Sequence, residues 1–255
     1  MNCSNLAMEH ISQVWPSEQF RHYCPTFAKP FYVTCNFMTT TSPTLLTTEM
    51  RYILECIDSI DEKYYTEEIT RLRDGVLFST GELRANESTY VTQLTNKIES
   101  KFKEQSIHID KHYQTDQPKQ LIFSDDNYAR KYKRSFDALF KPGEPEEAEF
   151  FKVPDIVVHS GPNDFNPDNQ IFLSEVKTTL KLTQKLFNID LFKLNVYHEE
   201  LNFQNSAFII TNSTIDDVKT KYSSYMASRY YKTRKDGIFI IVKPSFNDSV
   251  EIFKL

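Results

Sequence analysis

Glycine is scarce in this chain, at 5 of 255 residues. No GxGxxG or GxxxxGK[ST] pattern occurs. Without such loops the backbone offers no cradle for nucleotide phosphates, which argues against an enzyme built around one. A run of about 18 apolar residues is also missing, so no segment is expected to span a membrane. The first 20 residues lack a basic start followed by an apolar stretch, and no secretory signal is expected. Cys3, Cys24, Cys35 and Cys56 show no CxxC spacing. Neither a zinc site nor a disulfide framework is expected from them, and a reducing cytoplasm suits them. An excess of positive charge is absent too, with 30 Lys and Arg against 35 Asp and Glu and a net charge of −5. That weighs against a protein that coats nucleic acid. It leaves room for an enzyme that visits nucleic acid through a local basic surface.

What the chain does have is apolar mass. Hydrophobic residues make up 40%, with 20 Phe and 14 Tyr, enough for a sizeable core. Residues 1–46 show no clear period and read as irregular or extended. From Thr48, the positions Met50, Ile53, Leu54, Ile57 and Ile60 keep helical spacing. A second helix is expected from Thr66, with Glu67 and Glu68 in its first turn and Ile69, Leu72 and Val76 on one face. Residues 1–85 are thus expected to form an irregular and helical N-terminal extension, and residues 86–255 a domain of their own.

In that domain a helix fits 88–103, with Val91, Leu94, Ile98 and Phe102 on its apolar stripe. SIHIDKHY (106–113) alternates like a strand. A polar, basic stretch and an acidic loop (141–149) lead to two apolar strands, VPDIVVHS (153–160) and IFLSEVKT (171–178), joined by a turn. A long helix at 182–203, a strand at 206–211, a helix near 214–232 and strands at 237–242 and 250–254 complete the order. Ser213 with Asp216 has the spacing of a capping box. The order implies an α/β fold with a central mixed sheet covered by helices.

The chemistry-bearing residues lie in the two apolar strands. Alternate residues of a strand share a face. Asp155, Val157 and His159 therefore point one way, and in the next strand Glu175 and Lys177 share a face. Adjacent strands bring two carboxylates and an ammonium together. Carboxylate oxygens are the ligands a hard cation such as Mg²⁺ prefers, and a metal so held can activate water and neutralise a phosphodiester. An acid-x-lysine triplet is cheap by itself. Asp61-x-Lys63, Glu99-x-Lys101 and Asp217-x-Lys219 also qualify. Only Glu175-x-Lys177 lies in an apolar strand that follows another headed by Pro-Asp. Pro167-Asp168 is a second Pro-Asp pair, but it sits in a polar turn. The plain alternative is that Glu175 and Lys177 face solvent at a strand edge.

Pro154-Asp155 followed by Glu175-Val176-Lys177 resembles the motif of the PD-(D/E)xK nuclease superfamily, and the likeness extends through the element order over residues 86–254. The resemblance implies a restriction-endonuclease-like fold and Mg²⁺-dependent phosphodiester hydrolysis, with Mn²⁺ as a substitute. Asp155 and Glu175 would be metal ligands and Lys177 the catalytic lysine. Members often carry a further glutamate on the helix before the sheet, for which Glu87 is favoured over Glu99. Some exonuclease branches place Gln and Tyr four apart on the helix after the lysine strand. Here the match is Lys193-x-x-x-Tyr197, a departure that weakens an exonuclease assignment. The expected activity is an endonuclease on DNA, in defence or repair. The alternatives are a nuclease-fold nucleic-acid-binding module without catalysis and an RNA-cleaving nuclease. Many relatives cut duplexes as dimers, which makes a homodimer compatible with the resemblance.

Other positions have plainer readings beside the functional one. Arg130, Lys131, Lys133 and Arg134 come with Tyr128 and Tyr132, and Lys232, Arg234 and Lys235 follow Tyr230 and Tyr231. Such interleaving suits phosphate and base contacts, although a solvated face explains each run as well. Lys131, Lys133, Arg134, Lys193 and Tyr197 are the chosen nucleic-acid contacts, because the first run leads into the active-site hairpin and Lys193 and Tyr197 share a helical face. His108 and His112 lie on a strand pattern and read as ordinary polar positions. His159 reads as a strand histidine that shares the face of Asp155.

Overall fold

The computed structural model describes residues 39–40, 46–103, 107–111, 131–132, 139, 154–160, 166–228 and 236–255. All of them belong to one compact unit, Phe37–Leu255. In chain order the described elements are β1 (Thr39–Thr40), α1 (Thr48–Asp58), β2 (Glu67–Arg73), β3 (Val76–Arg84), α2 (Glu87–Phe102), β4 (Ile107–Lys111), β5 (Ile156–Ser160), β6 (Gln170–Thr178), α3 (Gln184–Leu201), β7 (Asn205–Thr211), α4 (Ile215–Ala227), β8 (Ile238–Lys243) and β9 (Glu251–Lys254).

Seven strands form one mixed sheet in the order β1-β9-β8-β7-β6-β5-β4. β6, β7 and β8 run parallel, and the remaining pairings are antiparallel. The parallel neighbours are joined through α3 and α4, as crossover connections require. Alternation along the strands divides the core in two. Val157, Leu173, Phe208, Ile210, Ile240 and Val242 pack with α3 and α4 through Phe187, Leu191, Leu194, Val218 and Tyr222. Ile156, Val158, Phe172, Val176, Ile209 and Ile241 pack on the other face with Met50, Ile53 and Ile57 of α1 and Tyr90, Val91, Leu94 and Ile98 of α2. The result is a three-layer α/β fold with both faces of the central strands covered, which is why those strands read as near-continuous apolar runs. No described helix is long and apolar enough to cross a membrane.

The expected helices at 48–60, 88–103, 182–203 and 214–232 correspond to α1–α4, whose described spans differ at the ends. The strands after residue 106 likewise fall where their patterns put them. The helix expected from Thr66 is instead a two-stranded hairpin, β2–β3. Its turn places Asp74 at φ 52° and Gly75 at φ 79°. Asp-Gly is the pair that tolerates two left-handed residues and twists strands together. The spacing of Ile69, Leu72 and Val76 imitates a helix only because the hairpin buries neither face. Leu72, Val76, Leu77 and Leu83 are all exposed. The start of α4 also differs from expectation. Thr214 is the N-cap, and its hydroxyl accepts from the Asp217 N–H at 3.2 Å, one residue later than the Ser213–Asp216 box. α1 shares its core with the sheet and α2, so residues 46–60 are part of the same packing unit as the strands.

Candidate active site

The antiparallel pairing of β5 with β6 sets Ile156 against Ser174. One step further along this register puts Asp155 across from Glu175, at the end of the sheet where parallel β6 terminates. Asp155 sits at a bend just before β5. Its N–H donates to the Ser174 carbonyl at 3.0 Å, and its Oδ2 accepts from the Val176 N–H at 2.7 Å. The carboxylate is thereby fixed by the backbone of the strand that carries Glu175 and Lys177. Leu173, two residues before Glu175, packs under α3, so strand alternation turns Glu175 toward the same layer.

Two helices complete the site from opposite sides. α2 begins at Glu87, after the Asn86 N-cap whose side chain accepts from the Thr89 N–H. A carboxylate in the first turn complements the positive end of the helix. Both Glu87 oxygens reach Lys177 Nζ, at 3.2 and 3.1 Å. From the other layer α3 contributes Asp190 and Lys193. Lys177 Nζ lies 3.5 Å from Asp190 Oδ2. Lys193 Nζ lies 2.9 Å from Glu175 Oε2 and 3.9 Å from Asp190 Oδ1. Four carboxyl groups (Glu87, Asp155, Glu175 and Asp190) thus share a small volume with the ammonium groups of Lys177 and Lys193.

Burial sets the electrostatics. The Glu175 side chain is only 3% exposed, and its carboxyl is raised well above the usual range by that burial and by Asp155 and Asp190, against the pull of Lys193. Asp155 is also raised by burial, with the Val176 N–H and Lys193 working the other way. For Lys193 burial opposes charge, but Glu175 and Asp190 outweigh it and hold the ammonium charged. Lys177 is raised in the same sense, since Asp190 and Glu87 overcome its desolvation. With every group ionised, the four acids exceed the two amines by two negative charges. Unbalanced charge in a desolvated site is relieved either by protonation or by a cation.

The donor set is hard oxygen, which fits Mg²⁺ or Mn²⁺. Glu175 Oε1 and Asp190 Oδ2 are buried and accept no hydrogen bond, and a cation would satisfy such oxygens. Among the described residues, however, no three acidic, histidine or cysteine side chains are gathered tightly enough to form a ready-made metal cage. The two amines lie between the acids instead.

The expected residues do not all meet. Asp155, Glu175, Lys177 and Glu87 come together. Glu99 is exposed on α2 and takes no part. His159 is four residues from Asp155 along an extended chain, about 13 Å, too far to support it. Lys193, expected to face a phosphate, lies inside the acid cluster. Tyr197 is fully buried in the core rather than presented at the surface. Lys131 is exposed and donates to Glu199 and Glu200 of α3. Lys133, Arg134, Arg130, Tyr128, His112 and the 230–235 run lie outside the described residues. Sequence reasoning missed Asp190. Its signal was a charged residue three before Lys193 in the mostly apolar run LFNIDLFKL, where a buried helix face tolerates charge only if it is paired. Comparison with protein families, with curated proteins and with solved structures finds no match for this chain.

Proposed function

We propose that this chain is a divalent-metal-dependent phosphodiesterase of the PD-(D/E)xK kind, with a restriction-endonuclease-like fold and DNA as its substrate. The observation that carries the reading is the six-residue cluster itself. An Asp before one strand and an acid-x-lysine on the next meet at one end of a mixed sheet, and a glutamate from the preceding helix is bonded to that lysine. Asp155 and Glu175 would hold the metal, with Asp190 within reach. Glu87 holds Lys177 and is a ligand only if it leaves that amine. The metal, when bound, supplies charge neutralisation and an activated water.

The chain's own residues supply the remainder. Lys177 is held between Glu87 and Asp190 with its side chain 20% exposed, so the ammonium is oriented yet reachable. There it would fix an attacking water or a phosphate oxygen where negative charge develops. Pre-orientation by Glu87 and Asp190 means little rearrangement is needed at the moment of reaction. The Val176 N–H keeps Asp155 from turning away.

A second reading has one specific observation in its favour. Lys193 neutralises Glu175 directly, as in a nucleic-acid-binding module whose acids serve only structure. One assay separates the two readings. Plasmid DNA, linear duplex and single-stranded RNA are incubated with the protein in Mg²⁺ or Mn²⁺, with and without chelator. The proposal expects DNA cleavage that chelator abolishes and that Lys177→Ala and Asp155→Ala each reduce by about 10²–10³-fold. DNA binding without cleavage in either metal supports the binding module, and preferential loss of RNA moves the substrate to RNA. Cleavage unaffected by both substitutions overturns the site.

A further inference from the structure

Lys193 has a place in the cluster that the nuclease reading does not use. Its side chain is 16% exposed, and it bridges Glu175 Oε2 and Asp190 Oδ1. Lys177 takes the other side of Asp190 together with Glu87. The two amines therefore hold three of the four acids, with Asp190 shared, while Asp155 accepts from the Val176 N–H. The buried acceptors left without a hydrogen bond, Glu175 Oε1 and Asp190 Oδ2, belong to the two acids that Lys193 spans. A hard divalent ion binds carboxylate oxygens at about 2.0–2.1 Å. An ammonium 2.9 Å from Glu175 Oε2 already covers the approach to that oxygen, and two cations repel strongly at such range in a poorly hydrated site.

We propose that Lys193 is a resident cation: it bridges Glu175 and Asp190 in the metal-free protein, and a divalent ion must displace it to bind, with Asp190 then joining Asp155 and Glu175 as a ligand. This rests on the metal-site reading given above. The lysine side chain is suited to the exchange, since four flexible methylenes carry a compact charge that can swing aside without moving the helix. Lys177 is not equivalent, because its nearest partner Glu87 comes from the opposite layer and Lys177 does not bridge to Glu175.

The test is direct titration with Mn²⁺ by calorimetry, comparing the wild-type chain with Lys193→Met and Asp190→Asn. Lys193→Met is expected to bind Mn²⁺ at least 10-fold more tightly than wild type, and Asp190→Asn at least 10-fold more weakly. A second measurement needs no variant. Lysine modification by reductive methylation, read by mass spectrometry on the wild type, is expected to find Lys193 protected without metal and reactive once Mn²⁺ is bound. Equal affinity in wild type and Lys193→Met, with Lys193 still protected in the Mn²⁺-bound protein, overturns the displacement while leaving the metal site intact. Absence of Mn²⁺ binding to wild type and both variants removes the metal site itself. If Lys193→Met does not fold, the methylation result on the wild type decides alone.

Discussion

Glu175 shows what burial does to a carboxyl in the acid cluster. Burial raises its carboxyl well above the ordinary range, with Lys193 pulling the other way, so folding favours its protonated form more than the unfolded chain does. A carboxyl raised in this way contributes stability below its unfolded value, near 4.3, and loses that contribution as pH rises through the folded value. Relative to wild type, Glu175→Gln should therefore gain stability in the metal-free protein as pH rises from 4 to 7. Its amide oxygen can still accept from Lys193, and its N–H groups face acids instead of an orphaned oxygen. The gain should shrink toward pH 4, where the wild-type carboxyl becomes largely protonated in the unfolded state as well. Thermal unfolding of both proteins from pH 4 to 8 measures this, and a gap that widens on acidification would contradict it. At the same scale, the Asp155, Glu175 and Lys177 triad was legible in the sequence, because strand alternation and the Pro-Asp head single it out among four acid-x-lysine triplets. Asp190 was not, because pairing across a helix–strand junction leaves no mark in local spacing. The surface role expected of Lys193 and Tyr197 failed for a related reason. A shared helical face says which residues are neighbours but not whether that face meets solvent or core.

At the level of elements, the strands and helices after residue 86 were readable because both sheet faces are covered, so apolar runs and helical stripes coincide with burial. The β2–β3 hairpin was misread because nothing buries it, and periodicity carries information only where one face is hidden. Its Asp74-Gly75 turn was the available clue. Another glycine has a stricter role. Gly237 enters β8 at φ 104°, and its carbonyl accepts from the Ser206 N–H at 2.8 Å. A Cβ at this position would run into the carbonyl oxygen of Gln204 and press on the His198 ring. Gly237→Ala thus combines a disfavoured backbone conformation with a clash against main chain. It is expected to cost about 2–4 kcal/mol in urea unfolding, and a loss below about 1 kcal/mol would show that the strand entry can shift.

For the whole molecule, the site ties the layers together, with α2 contributing Glu87, the sheet Asp155, Glu175 and Lys177, and α3 Asp190 and Lys193. An ion that binds only the folded arrangement stabilises all of it. At a hundred times its dissociation constant, Mg²⁺ or Mn²⁺ should add about 2.7 kcal/mol. The midpoint of thermal unfolding should rise accordingly and fall back with chelator. Asp155→Asn should lose most of the rise. A chelator-insensitive midpoint in the presence of either metal would count against the site.

The contact of Lys177 with acids from both helical layers has a spectroscopic use. Glu87 stands at the first turn of α2, the turn whose amides are least held by the helix itself and first to fray. If Lys177 turns toward an added phosphodiester, as the proposed function requires, its hold on that turn loosens, and deuterium uptake at residues 87–91 should quicken. The outermost turn of a helix on the far side of the sheet would then serve as a gauge of what happens at the acid–lysine cluster, readable without any cleavage taking place.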